Sequence, residues 1–306
     1  MGQHRIALVI PTRNRAGELL RLLESLARQT APPHQVIVVD GGEETVEGIA
    51  GEFPALHVTY RRVYPPSLAR QRNVGLQAME PSITIAGFLD DDMVVEPDAV
   101  RAMLAFWESA PPDIGGVAFN IANQPRPRAI WLKSLFFMES RRRGVILRSG
   151  YHTSIGCVAQ TVVGVDWLPG GASVWRRRVI DEFQYDEWFA GTGWMEDIEY
   201  SHRVRGRYRL AVVADAPVQH LISPMPRDRN FLFGQWEAVN RMYLVRKFPE
   251  LSVGLCYWAI LGQVLTSLGN AVLNRDPGLF VRAAGNCVGL GTLVAGRLPR
   301  IGGTLK

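Results

Sequence analysis

Short unbroken apolar runs alternate with stretches of helical spacing through the first two-thirds of this chain. Ile6-Ala7-Leu8-Val9-Ile10 reads as a buried strand ended by Pro11-Thr12; Leu19, Leu22, Leu23 and Leu26 then recur at helical spacing, with Thr12 and Asn14 as candidate caps. Val36-Ile37-Val38-Val39 is a second strand, running into Asp40-Gly41-Gly42. Leu56 to Tyr60 gives a third strand, Leu68 to Met79 a helix, Ile83 to Leu89 a fourth strand, and Pro97 to Trp107 a helix with proline in its first turn. Val117-Ala118-Phe119 starts another strand, and Leu210-Ala211-Val212-Val213 is strand-like. Continuous apolar strands alternating with helices indicate an α/β fold with a mostly parallel, Rossmann-like sheet flanked by helices. Ligands in such sheets sit beyond the C-terminal strand ends, where Pro11-Thr12-Arg13, Asp40 and Asp90-Asp91-Asp92 fall. Residues 124–161 have weak periodicity, and Arg141-Arg142-Arg143 reads as a solvated face.

The pattern changes after about residue 230. Leu232, Trp236, Val239 and Tyr243 mark one helical face, and Leu251 to Asn274 then carries no charged residue. That stretch exceeds the ~20 residues a bilayer crossing takes. Yet Ser252, Cys256, Ala259, Gln263, Thr266, Ser267, Asn270 and Asn274 form a polar or small stripe along it, which a helix wrapped wholly by lipid would not carry. A turn at Asn274 to Gly278 leads to a second apolar stretch, Leu279 to Ala295, interrupted by Arg282 and containing Gly285-x-x-x-Gly289. A membrane hairpin, two helices lying in the interface, and a soluble helical pair that covers the sheet or makes a homo-oligomer all fit this pattern. The expected division is residues 1–230 as an α/β catalytic domain and 231–306 as a C-terminal apolar helical, membrane-associating region.

Three consecutive carboxylates behind a buried strand raise one another's pKa and repel, unless a cation sits among them. A hard divalent metal, Mn²⁺ or Mg²⁺, uses one or two such carboxylates together with substrate phosphates. The bland alternative is an acidic turn before the next helix, since Glu96-Pro97-Asp98 reads as a helix start.

Composition narrows the partners. The 306 residues are 47% hydrophobic, enough for one large or two modest cores. Cys157, Cys256 and Cys287 are scattered and odd in number, so neither a disulfide framework nor a zinc spacing follows, and a reducing compartment is expected. The N-terminus runs straight into a strand without a secretory signal. Between Phe231 and Lys306 eight basic residues face three acidic ones, an excess equal to the whole net charge of +5. A basic, apolar tail on a neutral body points to an anionic membrane surface; nucleic acid would call for basic residues interleaved with exposed aromatics, which are not visible.

Taken in order, the strand-end motifs resemble those of the inverting nucleotide-sugar glycosyltransferases of family 2, which have the GT-A fold. Ile10-Pro11-Thr12-Arg13-Asn14-Arg15 resembles the family's first strand and nucleotide-facing turn, and Val38-Val39-Asp40-Gly41 the second strand, whose Asp contacts the base. Ala69-Arg70-Gln71-Arg72-Asn73-Val74-Gly75 resembles the helix near the diphosphate with Gln71 inserted, and Arg72-Asn73-x-Gly75 fits better than Arg70. Leu89-Asp90-Asp91-Asp92 resembles the Asp-x-Asp motif, which implies a ribose or metal role for Asp90, a donor-side place for Asp91 and metal contact for Asp92. Leu168-Pro169-Gly170-Gly171-Ala172 resembles the acceptor-side turn. Gly193-Trp194-Met195-Glu196-Asp197-Ile198-Glu199 resembles the segment carrying the base, with Trp194 on the acceptor side, and His220 stands where many members keep a metal-binding histidine. The resemblance implies a nucleotide-diphospho-sugar donor, a Mn²⁺ or Mg²⁺ cofactor held by Asp90, Asp92 and His220, and donor contacts from Pro11, Thr12, Arg13, Arg15, Asp40, Arg72 and Asn73.

The chemistry asks for the same groups. Charge builds on the leaving diphosphate, so a metal and guanidinium groups must stabilise it. The acceptor hydroxyl loses a proton as it attacks, so a carboxylate must receive it, and Asp197 beside Glu196 at a helix start stays ionised there. The bland reading of that pair is a helix cap held by Arg203 or Arg205. A polyprenyl-phosphate sugar synthase needs little base assistance, which the Glu196-Asp197 pair argues against. A nucleotidyltransferase would show a glycine- and lysine-bearing loop after its first strand, and a non-catalytic sugar-nucleotide binder would have lost the carboxylates. Cytosolic donors and flanking basic residues place the enzyme on the cytoplasmic face of the membrane, acting on a glycan or lipid-linked acceptor; a soluble cytoplasmic enzyme is the alternative.

Overall fold

The computed structural model describes residues 4–124, 131–191, 193–221 and 229–301. In chain order its strands and α-helices are β1 (Ile6–Thr12), α1 (Ala16–Ala27), β2 (Gln35–Asp40), α2 (Glu47–Gly51), β3 (Val58–Arg62), α3 (Leu68–Gln77), β4 (Ile85–Leu89), β5 (Met93–Val95), α4 (Ala99–Ser109) and β6 (Ile114–Ile121). There follow α5 (Trp131–Leu135), β7 (Val162–Val165), β8 (Ala172–Arg176), α6 (Arg177–Glu182), α7 (Glu196–Arg205), β9 (Arg209–His220), α8 (Asn230–Lys247), α9 (Val253–Asn274) and α10 (Pro277–Val294).

The chain forms two compact units. The first comprises Met1–Arg126, Gly156–Glu187 and Gly191–Ile222. Its nine-stranded sheet runs β3-β2-β1-β4-β8-β6-β9-β5, with β7 also paired to β9. The block β3-β2-β1-β4 is parallel, as expected from the apolar runs, and every residue of β1, β2 and β4 is buried. Leu19, Leu22, Leu23 and Leu26 of α1 enter the same core as Ile6, Leu8 and Ile10. Helix α1 begins after Arg15 without a side-chain cap, so Thr12 and Asn14 do not cap it; Thr12 Oγ1 donates to Asp91 and Asn14 Oδ1 accepts from the Glu43 amide.

Two features were invisible in the periodicity. Strand β8 inserts antiparallel between β4 and β6, and its register pairs Leu89 with Ala172. That pairing sets Gly171 beside Asp90, whose amide donates to the Gly171 carbonyl at 3.1 Å. Strand β9 is parallel to β6 on both sides of a bulge between the pairs Phe119–Val213 and Asn120–Pro217, where Asn120 Nδ2 donates to the Ala214 carbonyl at 3.1 Å. Beyond the bulge β9 pairs antiparallel with β5, Met93 facing His220, and so brings the histidine to the acid triplet.

The second unit comprises Pro127–Ile155, Trp188–Ala190 and Ser223–Lys306. It therefore takes in chain from the weakly periodic middle as well as the three long C-terminal helices. Close backbone approach fixes α10 on α8: a Cβ on Gly285 would lie 2.0 Å from the Phe231 carbonyl oxygen, and one on Gly234 2.1 Å from that of Arg282. The glycines of the Gly285-x-x-x-Gly289 motif thus pack against α8. Arg141, Arg142 and Arg143 are exposed, as expected of a solvated face.

Gln71 ties the ends of the two central strands. It is buried, and its Nε2 donates to the carbonyls of Thr12 (2.9 Å) and Val39 (2.8 Å). Gln71→Leu leaves both carbonyls without this donor, and a loss of about 1–3 kcal/mol is expected. Thermal unfolding followed by circular dichroism checks it; an unchanged midpoint would mean the strand ends do not need this amide.

Candidate active site

At the end of β1, Thr12 Oγ1 donates to Asp91 Oδ2 at 2.7 Å, and Arg15 Nη1 reaches Asp91 Oδ1 at 3.0 Å and Asp92 Oδ2 at 3.1 Å. His220 Nε2 lies 3.1 Å from Asp92 Oδ1. Asp90 pairs with Arg72 Nη2 at 3.3 Å. Each carboxylate of the triplet therefore has a protein cation beside it, which is how three acids coexist there. Burial pushes the Asp91 carboxyl up to about 6 against the pull of Thr12 and Arg15. Burial also acts to raise Asp92, but the His220 hydrogen bond and charge, joined by Arg15, outweigh it and hold Asp92 below the usual carboxylate range. The hydrogen bond to Asp92 in turn raises His220.

Helix α3 carries the link to the second acidic group. Its first amide, Leu68 N, donates to the Gly191 carbonyl at 3.0 Å, which holds the chain leading into α7 over the start of α3. One turn on, the fully buried Arg72 meets Glu196 through Nη1 and Asp90 through Nη2. Its guanidinium lies 5.2 Å from the ring centre of Tyr185 and 5.7 Å from that of Phe88. Gly170 and Gly171 fit only because they lack side chains: a Cβ on Gly170 would fall 2.6 Å from Arg72 Nη1, and one on Gly171 2.1 Å from Asp90. Arg70, the competing arginine, is exposed.

Glu196 and Asp197 open α7 after a turn with positive φ at Gly193 and Met195. Asp197 Oδ2 accepts from the Gly170 amide at 3.0 Å and Oδ1 from the Ile198 amide at 2.8 Å. Burial raises the Asp197 carboxyl, countered first by the charge of Arg72. Burial pushes Glu196 up as well, with Arg72 pulling back. The bland helix-cap reading does not hold: Arg203 pairs with Glu199 at 2.6 Å and Arg205 with Asp166 at 2.6 Å.

Other expected residues lie elsewhere in this arrangement. Asp40 is fully buried, and its oxygens accept from the Gly42 amide (2.6 Å), the Val46 amide (3.1 Å) and the Tyr60 hydroxyl (2.8 Å), so the carboxylate organises its own loop. Asn73 spends its amide on the backbone of Tyr185 (2.9 Å each way) and on Glu187, clamping the segment that presents Tyr185 to Arg72. Pro11 is buried, Arg13 exposed and Trp194 half-buried. Among the described residues, no three His, Cys, Asp or Glu side chains form a preformed metal-binding group. The structural parts of Gln71 and Tyr185 were missed; a signal existed for Gln71, because four successive polar residues, 70–73, cannot all face water from one helix packed on a sheet.

A nucleotide-binding type of sheet with carboxylates at its strand ends, and a second acidic pair joined to them through one arginine, defines a GT-A glycosyltransferase. Residues 7–163 match the family described as glycosyl transferase family 2. The chain is 32% identical over 254 residues to the uncharacterized glycosyltransferase YwdF of Bacillus subtilis, covering 82% of this chain and 85% of that one. A second relative, an uncharacterized glycosyltransferase of Haemophilus influenzae, is 32% identical over 35% of each chain. This protein belongs to glycosyl transferase family 2, and it is a transferase. The same fold is seen in the mannosyltransferase PcManGT from Pyrobaculum calidifontis, solved with GDP-Man and Mn²⁺ (TM-score 0.58, 14% identity, 94% of this chain and 86% of that one). S. aureus TarS 1–349, solved with UDP, shares it too (TM-score 0.52, 13% identity, 96% and 92% covered). This chain spans 55% of the longer TarS structure.

Arg72→Met strips a buried guanidinium from Asp90 and Glu196 at once, and a loss of about 3–5 kcal/mol is expected. Adding Glu196→Gln should recover part of that loss, because the two residues share one interaction. Urea unfolding of the two single variants and the double variant measures it; strictly additive losses would mean the pair is not coupled.

Proposed function

We propose that the chain is a metal-dependent, inverting glycosyltransferase that moves a sugar from a nucleotide-diphospho-sugar to a hydroxyl of a glycan or lipid-linked acceptor at the cytoplasmic face of the membrane. The observation that carries this reading is the Arg72 bridge, which holds the acid triplet and the Glu196-Asp197 pair around one guanidinium. Donor-side and acceptor-side chemistry are then neighbours, as a single displacement requires. The GDP-Man and UDP held by the two solved relatives support a nucleotide-linked donor here.

The side chains present fit a divalent cation in a limited way. Asp92 and His220 offer a carboxylate oxygen and an imidazole nitrogen side by side, and donor phosphate oxygens would complete the set. An N,O donor pair suits Mn²⁺ better than Mg²⁺, which prefers oxygen alone, and Mn²⁺ is the ion in PcManGT. Asp90, engaged by Arg72, is the weaker candidate ligand. When bound, the ion supplies neutralising charge to the departing diphosphate. Arg15 now covers Asp91 and Asp92, and a guanidinium displaced from them is free to turn to the donor phosphates.

On the acceptor side Asp197 receives the hydroxyl proton. It is held by the Gly170 and Ile198 amides and needs no partner side chain, whereas Glu196 is committed to Arg72. A carboxylate raised by burial is a stronger base than an ordinary aspartate, and Arg72, the Gly170 and Ile198 amides and the first turn of α7 favour its charged form. Attack assisted by one base and no covalent intermediate inverts the anomeric centre.

Asp197→Asn should lower kcat by about 10²–10⁴-fold while donor binding by calorimetry stays near wild type; if Glu196→Gln is inactive and Asp197→Asn active, the neighbour is the base. Because Asp197 must be ionised to act, kcat/KM falls as pH drops through its raised pKa, so the acidic limb should lie above the ordinary aspartate value of about 3.9. Asp92→Asn should abolish Mn²⁺ binding in a direct titration and transfer with it, whereas Arg15→Gln should tighten Mn²⁺ binding by removing the competing cation. Full activity in EDTA would overturn the metal assignment.

A further inference from the structure

Helix α9 is partly inverted. Cys256, Ala259 and Ser267 are buried beside Ile260 and Val264, and Gln263 Nε2 donates to Ser267 Oγ at 3.1 Å, while Asn270 and Asn274 near its end are exposed. Ser267 Oγ in turn meets Asn286 Oδ1 of α10 at 3.4 Å, and Asn286 Nδ2 donates to Glu237 of α8 at 2.9 Å. Glu237 closes the chain on Arg282, with contacts of 2.6 and 3.1 Å. The opposite side of α9 exposes Trp258, Leu261, Leu265, Leu268 and Val272, which fall within about 80° of arc at 3.6 residues per turn. Helix α10 repeats the inversion: Asn286 and Gly289 face in, while Phe280, Val281, Ala284, Cys287 and Val288 are exposed. A soluble helix does the reverse, since an outward apolar face costs solvation.

The ends of these faces are cationic. Exposed Arg246 and Lys247 precede α9, Arg275 stands at the turn between the helices, and Arg297 and Arg300 follow α10. Apolar faces bracketed by arginine at every helix end complement an anionic lipid surface better than they complement a second copy of this basic unit.

Resting on the membrane reading above, we infer that α9 and α10 dock in the plane of one leaflet through these outward faces, and that neither helix crosses the bilayer. By length and composition α9 is able to cross. Crossing, however, would draw the Glu237–Arg282 ion pair, which ties α10 to α8 at the end of the polar chain from α9, into the hydrocarbon. It would also carry the exposed Arg275 and Asp276 of the turn through the hydrocarbon, whereas an in-plane pair leaves all its ends among headgroups. The polar atoms of both aromatic residues are spent inside the unit, the Tyr257 hydroxyl on the Leu293 carbonyl and the Trp258 indole N–H on the Leu135 carbonyl, each at 3.0 Å, so Trp258 offers the outward face only its ring.

The test uses the full chain and vesicles of phosphatidylcholine with or without phosphatidylglycerol. Flotation with the anionic vesicles is expected, weakened about tenfold or more by Leu265→Glu or Val288→Glu. A fluorescent maleimide on Cys287, in a Cys157→Ala background, reports depth: a nitroxide near the lipid headgroup should quench it more than one at the chain terminus. Three results overturn the inference: equal flotation of the glutamate variants, stronger quenching from the chain terminus, or a dimer without lipid that these substitutions convert to monomer. Donor hydrolysis by the same variants without vesicles should match wild type. Its failure in the wild type would count against the transferase reading and leave the docking result standing.

Discussion

One buried guanidinium holds the catalytic unit's chemistry together. Arg72 is charged, almost wholly removed from water, and counter-charged by Asp90 and Glu196, which approach its two Nη atoms from different parts of the chain. Removing a charge from water costs several kcal/mol, so the surroundings must supply counter-charge in a fixed place. Much else follows from that demand. Gly170 and Gly171 must lack side chains to let the arginine and Asp90 sit close, Asn73 must hold the Tyr185 segment against the guanidinium, and α7 must begin where Glu196 reaches it. The amide of Gly170, fixed by the same crowding, then orients Asp197.

The acid triplet shows how three neighbouring carboxylates are accommodated by the chain itself. Repulsion among three neighbouring carboxylates demands positive charge, and sequence reasoning named a metal as its source. The chain supplies its own: Arg15 for Asp91 and Asp92, Arg72 for Asp90, with the His220 imidazole beside Asp92. Protein cations and a divalent ion are not exclusive, because a half-exposed arginine can leave and a diphosphate brings further negative charge. The metal proposed above would therefore compete with an internal cation.

In the second unit the usual rule of burial is partly inverted along two helices. Polar groups form a continuous hydrogen-bonded chain from Gln263 through Ser267 and Asn286 to Glu237 and Arg282, while Leu261, Leu265, Leu268, Val272, Val281 and Val288 face outward. The polar stripe in α9 argues against a helix wrapped wholly by lipid, and its middle faces inward while an apolar side faces out.

What was legible in the sequence is what local pattern decides. The apolar runs β1, β2 and β4, the helix α1 between them, the start of α7 at Glu196, and the long charge-free α9 follow from spacing and burial that neighbouring residues set among themselves. The order of strand-end motifs likewise sufficed to identify the family. Tertiary structure alone decided which partners those motifs meet. Strand β8 inserts between β4 and β6 through pairing across about eighty residues, which no local period encodes, and the β9 bulge that delivers His220 is a register event. The same holds for Asp40, which spends itself on its own loop, for Arg72, which bridges two acids, and for the side of α9 that faces in. Periodicity fixes that a face exists; only packing determines what it faces.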